Sequence, residues 1–213
     1  MIIIPSAARE PSEAALIKGK KQMLDSLIKK ARTIRRFDKE RPVKKEDILH
    51  IIDLARLSPS AANLQRIRYL ALLEKESKSA FSKVRLGGYL SESERPDESV
   101  GAVAYIAICA KEKEPDANLC IDMGIAAEAI TLTACEMGLG TCIIRNFDKE
   151  YFDSFLKERC VECRLVIAIG YPLEEATVVP IGEGGSIKYY KNESGVNCVP
   201  KRSLDDVVLE IVE

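Results

Sequence analysis

The sequence predicts an α+β fold in which one mixed sheet is wrapped by helices. Three observations predict it. Helical apolar periodicity covers more of the chain than strand-like runs do. The runs that read as strands, such as Val100–Ala110 and Leu165–Gly170, are short. They are also non-adjacent in sequence, which argues for one mixed sheet wrapped by helices. At 213 residues and 46% apolar composition the chain can bury a core without staples. We expect a single domain over 1–213, with residues 1–13 as a loosely held lead and 180–213 as a C-terminal arm and helix.

Ala14 to Ala31 reads as a helix, with Ile17, Leu24, Leu27, Ile28 and Ala31 on one face and lysines in the last turn, where the dipole favours them. Thr33 to Asp38 is irregular or extended. Lys44 to Leu57 is a helix: Ile48, Ile51, Ile52 and Ala55 share a face, and Ser58-Pro59 ends it. Ser60 to Gln65 is a turn and Tyr69 to Leu73 a strand. Glu76 to Val84 is helical, and 85–99 is a loop. Val100 to Ala110 is a strand buried on both faces. Asp116 to Met137 is the longest helix and ends at Gly138. Leu119, Met123, Ala126, Ile130, Ala134 and Met137 form one apolar face, while Ile121, Ile125 and Leu132 form another. A helix so apolar belongs in the centre or at a subunit interface. Thr141–Ile144 and Leu165–Gly170 are strands, with a helix at Lys149–Lys157 between them. Residues 180–200 are irregular, with a short strand at Ile187–Tyr190. Ser203 to Val212 is a terminal helix, with Ser203 and Asp206 in a capping-box arrangement.

The net charge of −1 gives no general attraction to nucleic acid or membrane. It conceals an asymmetry: residues 18–45 hold twelve Lys/Arg and three Asp/Glu, a local +9 against −10 elsewhere. Such a block suits a phosphate-bearing small ligand, and it equally suits a solvated helix face. Of the seven cysteines, Cys109, Cys120, Cys135 and Cys142 sit in apolar runs and read as small buried hydrophobes in a reducing compartment. Met1-Ile2-Ile3-Ile4-Pro5 is too short for a signal-peptide core, and no run approaches a membrane span, so a cytoplasmic protein is expected.

Two stretches carry candidate chemistry. Arg32, Thr33 and Arg35 put two guanidinium groups and a hydroxyl within four residues, a donor set suited to phosphate. Pro59, Ser60, Ala61, Asn63 and Gln65 combine small residues, which admit a flat ligand, with amides that match the edge of a pyrimidine-like ring. For each stretch the plain alternative is a surface charge or a helix stop. Cys160 and Cys163 form a CxxC without the second pair that a zinc site needs, so no metal is expected. His50, the sole histidine, lacks a nucleophile-elbow sequence and reads as structural. Walker and GxGxxG loops are absent.

With these segments in order, the chain resembles the FMN-dependent nitroreductase family. Ala31-Arg32-Thr33-Ile34-Arg35-Arg36-Phe37 matches that family's opening basic motif, and Pro59 to Gln65 matches its Pro-Ser-x-x-Asn-x-Gln motif. Asp122 to Gly140 matches its helix ending in Gly-Leu-Gly, Leu165 to Pro172 its strand ending in Gly-Tyr-Pro, and Pro200-Lys201-Arg202 its late basic segment.

The resemblance implies a nitroreductase-like intertwined homodimer with FMN at the subunit interface. It implies a ping-pong NAD(P)H-dependent oxidoreductase in which FMN passes hydride from NADH or NADPH to a small organic acceptor such as a nitroarene, quinone or enone. The flavin then carries the chemistry, and no side chain is expected to be catalytic. Arg32, Thr33, Lys201 and Arg202 would hold the phosphate, and Arg35 would approach the ring. Pro59, Ser60, Ala61 and Asn63 would come from the partner subunit, with Gln65 supporting their loop. The backbone near Arg145 and Asn146 would lie beside the flavin N5. Three departures are visible. Ala31 replaces a phosphate-binding Arg, with Lys30 or Lys201 as possible substitutes. Arg66-Ile67 replaces Pro-Trp, and Arg145-Asn146 replaces a pair whose second position is usually Gly. They leave open a non-catalytic FMN-binding carrier or sensor as the alternative.

Overall fold

The computed structural model describes residues 23–87, 90–182 and 184–213. The expected N-terminal lead and the first half of the expected first helix lie outside them. The remainder of that helix, α1, spans residues 23–30. After it come α2 (Lys45–Ala55), β1 (Arg68–Leu73), α3 (Glu74–Phe81), β2 (Ala104–Ala110), α4 (Ala117–Glu136), β3 (Gly140–Ile144), α5 (Lys149–Ser154) and β4 (Glu162–Gly170). Three short strands close the chain, β5 (Ala176–Pro180), β6 (Tyr190–Lys191) and β7 (Asn197–Lys201), followed by α6 (Leu204–Val207).

The central sheet has strand order β1-β2-β4-β3, and all its ladders are antiparallel. Its mixed character comes from the segment after α1, which meets the outer edge of β3 through a parallel bridge between Thr33 and Thr141. Helices cover both faces. On one, Ile106, Ile108, Ile167 and Ile169 pack against Ile48 and Ile51 of α2 and Leu119, Ala126 and Ile130 of α4. On the other, Tyr105, Ala107, Val166 and Ala168 meet Phe37, Ala80 of α3 and Phe152 of α5. This two-sided cover explains why every residue of β2 is buried and why the strand shows no alternation. Each fully buried aliphatic side chain here contributes about 1.5–3 kcal/mol relative to exposure.

α4 is held at both ends. The Asp116 carboxylate accepts from the Leu119 N–H at 2.7 Å. At the other end the N–H of Gly138 reaches the Cys135 carbonyl and that of Leu139 reaches the Ala134 carbonyl, a Schellman closure. Among the described residues α4 is the one helix long and apolar enough to cross a membrane, yet it lies in the core of this fold. Its second apolar face is open: Ile121 is 59% and Ile125 37% exposed.

Several expectations need correction. β2 begins at Ala104, because Glu98–Val100 forms a 3-10 turn capped by Asp97. The region beyond residue 175 is a small sheet of order β5-β7-β6, with β5 and β7 parallel, where little more than a loop was expected. Its β6–β7 turn is organised by Asn192, whose side-chain oxygen accepts from the N–H groups of Ser194 and Val196. The terminal helix stops at Val207, although its Ser203–Asp206 capping box is present. The β-branched run that follows has low helix propensity and packs on no surface of its own chain, so Leu209, Ile211 and Val212 remain exposed. Cys120 is exposed, whereas Cys109, Cys135 and Cys142 are buried as expected. His50 lies on the exposed side of α2.

Candidate functional site

The basic segment after α1 is an arm laid across the ends of β3 and β4. The Arg32 guanidinium caps α1 by donating to the Ile28 carbonyl at 2.8 Å, a cation at a helix C-terminus. The Ile34 N–H bonds the Thr141 carbonyl at 2.8 Å, and the Phe37 N–H bonds that of Val100 at 2.9 Å. Ile34 and Phe37 are buried and pin the arm from beneath. Glycine makes this closeness possible. A Cβ on Gly140 would lie 2.8 Å from Ile34 Cβ, and one on Gly170 would lie 3.0 Å from Phe37 Cβ.

Pinned in this way, Arg32, Thr33 and Arg35 line one cavity of about 230 Å³ with Thr141, Tyr189 and Lys201. The Arg35 guanidinium lies 4.7 Å from the centre of the Tyr189 ring. The Nε–H groups of both Arg32 and Arg35 are buried without a hydrogen-bond partner. Buried cationic donors lacking acceptors are costly in an empty site and suit an anion. On the other side of the arm a wider cleft of about 940 Å³ takes in Lys30, Arg36 and Lys191, and Arg32 borders both cavities. Of the two lysines considered as substitutes for the missing arginine at Ala31, Lys201 therefore shares the cavity with Thr33 and Arg35, and Lys30 does not.

The second stretch forms a separate half-site. Ala61–Asn63 is a single 3-10 turn, and Ala62, Asn63 and Gln65 have φ of 48°, 53° and 48°. Left-handed backbone at a residue with a Cβ costs about 1–2 kcal/mol, so outside contacts must fix this loop. The Asp122 carboxylate, buried on α4, accepts from the Ala61 N–H at 2.9 Å, and Ser60 Oγ accepts from the Gln65 N–H at 3.2 Å. Pro59, Ser60 and Gln65 line a cavity of about 510 Å³ with Arg66, Ile67 and Asp122. Ala61 and Asn63 belong to the same turn, on which Leu64 is 59% exposed. Replacing Asp122 with Leu leaves the Ala61 N–H unmet and should lower unfolding stability by about 1–3 kcal/mol. Asp122→Asn keeps an acceptor and should cost less, as denaturant unfolding would show.

Arg145 and Asn146 follow β3 at the rim. Arg145 is exposed, and the Asn146 carbonyl accepts from the Arg85 N–H at 2.9 Å. Arg202 is exposed and does not line the arm cavity. The single chain thus brings Arg32, Thr33, Arg35 and Lys201 together, and Pro59, Ser60 and Gln65 together, in two different cavities. Among the described residues no cluster of His, Cys, Asp or Glu is arranged to hold a metal.

The profile of the nitroreductase family matches residues 28–171, about two thirds of the chain. The chain belongs to the nitroreductase family. Among solved structures it is similar to an FMN-dependent nitroreductase from Clostridium difficile R20291, with 29% identity, 70% of this chain and 87% of that one covered, and a TM-score of 0.56. It is similar in fold to a nitroreductase family protein from Clostridium novyi NT, at 24% identity, 70% and 84% coverage and a TM-score of 0.57. It also shares its fold with the FMN-dependent nitroreductase NfnB from Mycobacterium smegmatis in complex with NADPH, at 18% identity, 72% and 89% coverage and a TM-score of 0.58. No curated protein is significantly similar to it.

The family match ends at Tyr171, so Tyr189 and the small sheet carrying Lys201 lie beyond it. Within this nitroreductase the residues that sequence reading passed over are acids and one aromatic: Asp116, Asp122, Glu174 and Tyr189. Asp122 had a visible signal, a lone acid beside an apolar helix face. The others had none. Asp116 explains what Arg66 does. Arg66 makes a paired bond to the Asp116 carboxylate at 2.8 and 3.1 Å, tying the loop to the head of α4. That bond, with the Leu119 N–H, holds the Asp116 carboxyl well below its usual range, at about 2. A depressed carboxyl stabilises the fold above its unfolded pKa, and the contribution disappears as pH falls towards 2. A carboxyl titration by NMR should find Asp116 near 2, returning towards the ordinary range in Arg66→Ala.

Proposed function

We propose that this nitroreductase is an FMN-dependent oxidoreductase that takes hydride from NADH or NADPH and passes it, in a ping-pong cycle, to a small organic acceptor such as a nitroarene, quinone or enone. The observation that carries the reading is the convergence of Arg32, Thr33, Arg35 and Lys201 on one cavity, where two guanidinium Nε–H groups are buried without partners. That donor set fits a phosphate and the electron-rich edge of a flavin. FMN would supply the hydride chemistry, and the protein would supply position and charge. Arg32, Thr33 and Lys201 would bind the phosphate, with Arg202 one residue beyond. Arg35 would place positive charge beside the ring, where it favours the reduced, anionic form. The backbone at Arg145 and Asn146 would flank the reacting edge.

The Pro59–Gln65 loop would complete the site from a second subunit. Its separation from the arm cavity within one chain supports this arrangement, as do the exposed apolar side chains of Leu64, Ile121 and Ile125 on the loop and on α4. A homodimer covering these surfaces and the exposed Leu209, Ile211 and Val212 is part of the reading. So are a single folding unit over the chain and a reducing, cytoplasmic setting, which the unpaired cysteines support.

The test is an absorbance spectrum of the purified protein followed by anaerobic addition of NADH and then NADPH. Flavin bands that bleach with one of them, and return on adding menadione or a nitroarene, are the expected result. A protein that stays colourless with added FMN would overturn the flavin reading. Bands that no nicotinamide bleaches would overturn the enzymatic one.

A further inference from the structure

We propose that Glu174, just past the Gly170-Tyr171-Pro172 corner, is the positioning residue that presets the arm and sets its distance from the strand carrying Lys201. The inference rests on the flavin reading above and extends it to a residue outside the cavity wall around Arg35. The Glu174 side chain is 6% exposed. Its Oε1 accepts two backbone N–H groups in a row, from Arg35 at 2.5 Å and Arg36 at 3.3 Å. Its Oε2 accepts from Asn197 Nδ2 at 3.0 Å and lies 3.6 Å from Arg36 Nη1. One carboxylate therefore reaches both segments that supply cations to the cavity. Arg32, Thr33 and Arg35 belong to the arm, and Asn197 begins β7, which ends at Lys201.

The backbone explains why a side chain is needed. The arm makes single bridges to β3 and to Pro172 rather than a ladder, so the N–H groups of Arg35 and Arg36 find no strand partner between them. Glu174 supplies what a ladder would have supplied. It does so with a charged acceptor, whose hydrogen bonds are stronger than neutral ones. The Asn197 N–H bonds the Glu175 carbonyl at 2.9 Å, so the same corner grips β7 from its main chain as well. Arg36 completes the network by donating to the Glu94 carbonyl at 2.7 Å, which keeps its guanidinium turned away from the cavity that Arg35 enters.

The test compares Glu174→Leu, Glu174→Gln and Asn197→Ala by two readouts, amide exchange at Arg35 and Arg36 in the flavin-free protein and the FMN dissociation constant. Glu174→Leu removes the acceptor. It should speed exchange at both amides and weaken FMN by at least about tenfold. Glu174→Gln keeps Oε1, and the Asn197 amide can turn to meet the new NH2, so FMN affinity should return to within about threefold of wild type. Asn197→Ala cuts the side-chain link between Glu174 and β7 and trims a residue that itself borders the cavity, and it should weaken FMN by about three- to tenfold with the arm amides still protected.

Unchanged FMN affinity in Asn197→Ala would overturn the coupling, so the proposal stays falsifiable if Glu174→Leu does not fold. Faster amide exchange in Glu174→Leu with unchanged FMN affinity would make Glu174 a stability residue only and overturn the proposal. A wild-type protein that binds no FMN but shows slow exchange at Arg35 and Arg36 would overturn the flavin reading and this cofactor role with it. It would leave the holding of the arm intact, so the two failures are distinguishable.

Discussion

Substituting Arg32 and Lys201 together with Ala is expected to yield a folded protein that is purified without flavin. Each cation would give the FMN phosphate a charge-assisted hydrogen bond worth about 1.5–3 kcal/mol. Two such losses weaken binding by about 10²- to 10⁴-fold. The fold should survive. Lys201 is exposed, and what Arg32 gives the fold is one bond at the exposed end of α1. Titration of FMN against the flavin-free double variant, followed by fluorescence quenching, measures the effect. Wild-type binding should also weaken as salt rises, because the contacts are ionic and partly solvated. If the double variant binds FMN within about threefold of wild type, the phosphate lies elsewhere. The wider cleft bounded by Lys30, Arg36 and Lys191 would then be the place to look.

A methyl group at position 140 is expected to damage both fold and site. In Gly140→Ala the new Cβ meets Ile34 at its Cβ and Cγ1, both 2.8 Å away. Those atoms sit at the root of a buried side chain, so the backbone of the arm has to move. Overpacking of this kind costs about 1–3 kcal/mol. Ile34 is bonded to the Thr141 carbonyl and stands between Thr33 and Arg35, so its displacement carries both cavity residues away from β3. Gly140→Ala should therefore lose more FMN affinity than its fall in stability accounts for. Gly124 is the control, because a Cβ there meets nothing within 4 Å. Within the single chain Gly124→Ala in the middle of α4 should be neutral or stabilising by up to about 1 kcal/mol, from helix propensity. Thermal unfolding and FMN titration of the two variants separate the effects. Equal behaviour of Gly140→Ala and Gly124→Ala would show that the arm does not depend on that close approach.

The same contacts show where sequence reading reached and where it stopped. α2 was legible because Ile48, Ile51 and Ala55 repeat at helical spacing and all three are buried. α4 was legible from its length, its apolar periodicity and its Gly138 stop. β2 and β4 were legible as apolar runs because a sheet covered on both faces needs no polar alternation. The small terminal sheet was not legible. β5 is a half-exposed five-residue run that ends on a proline, β6 is two residues long, and β5–β7 pairing joins segments some twenty residues apart. The end of α6 was misjudged because a capping box marks where a helix starts and says nothing about where it stops.

By itself the sequence determined the local chemistry of this nitroreductase. It placed a pair of arginines and a threonine within four residues, a turn of small and amide residues after a proline, glycines at the ends of α4 and β4, and a family membership that follows from their order. These are properties of neighbouring residues, set by side-chain chemistry and backbone preference. The tertiary structure decided which of them meet. Lys201 rather than Lys30 shares the cavity of Thr33 and Arg35 because β7 runs beside β5 and brings its end to the arm cavity. Glu174 and Asp122 matter because the fold carries each carboxylate to backbone N–H groups 139 and 61 residues away in sequence. Such N–H groups carry no residue-specific signal. Only the packed chain shows that they lack partners in a ladder and that a buried carboxylate supplies one.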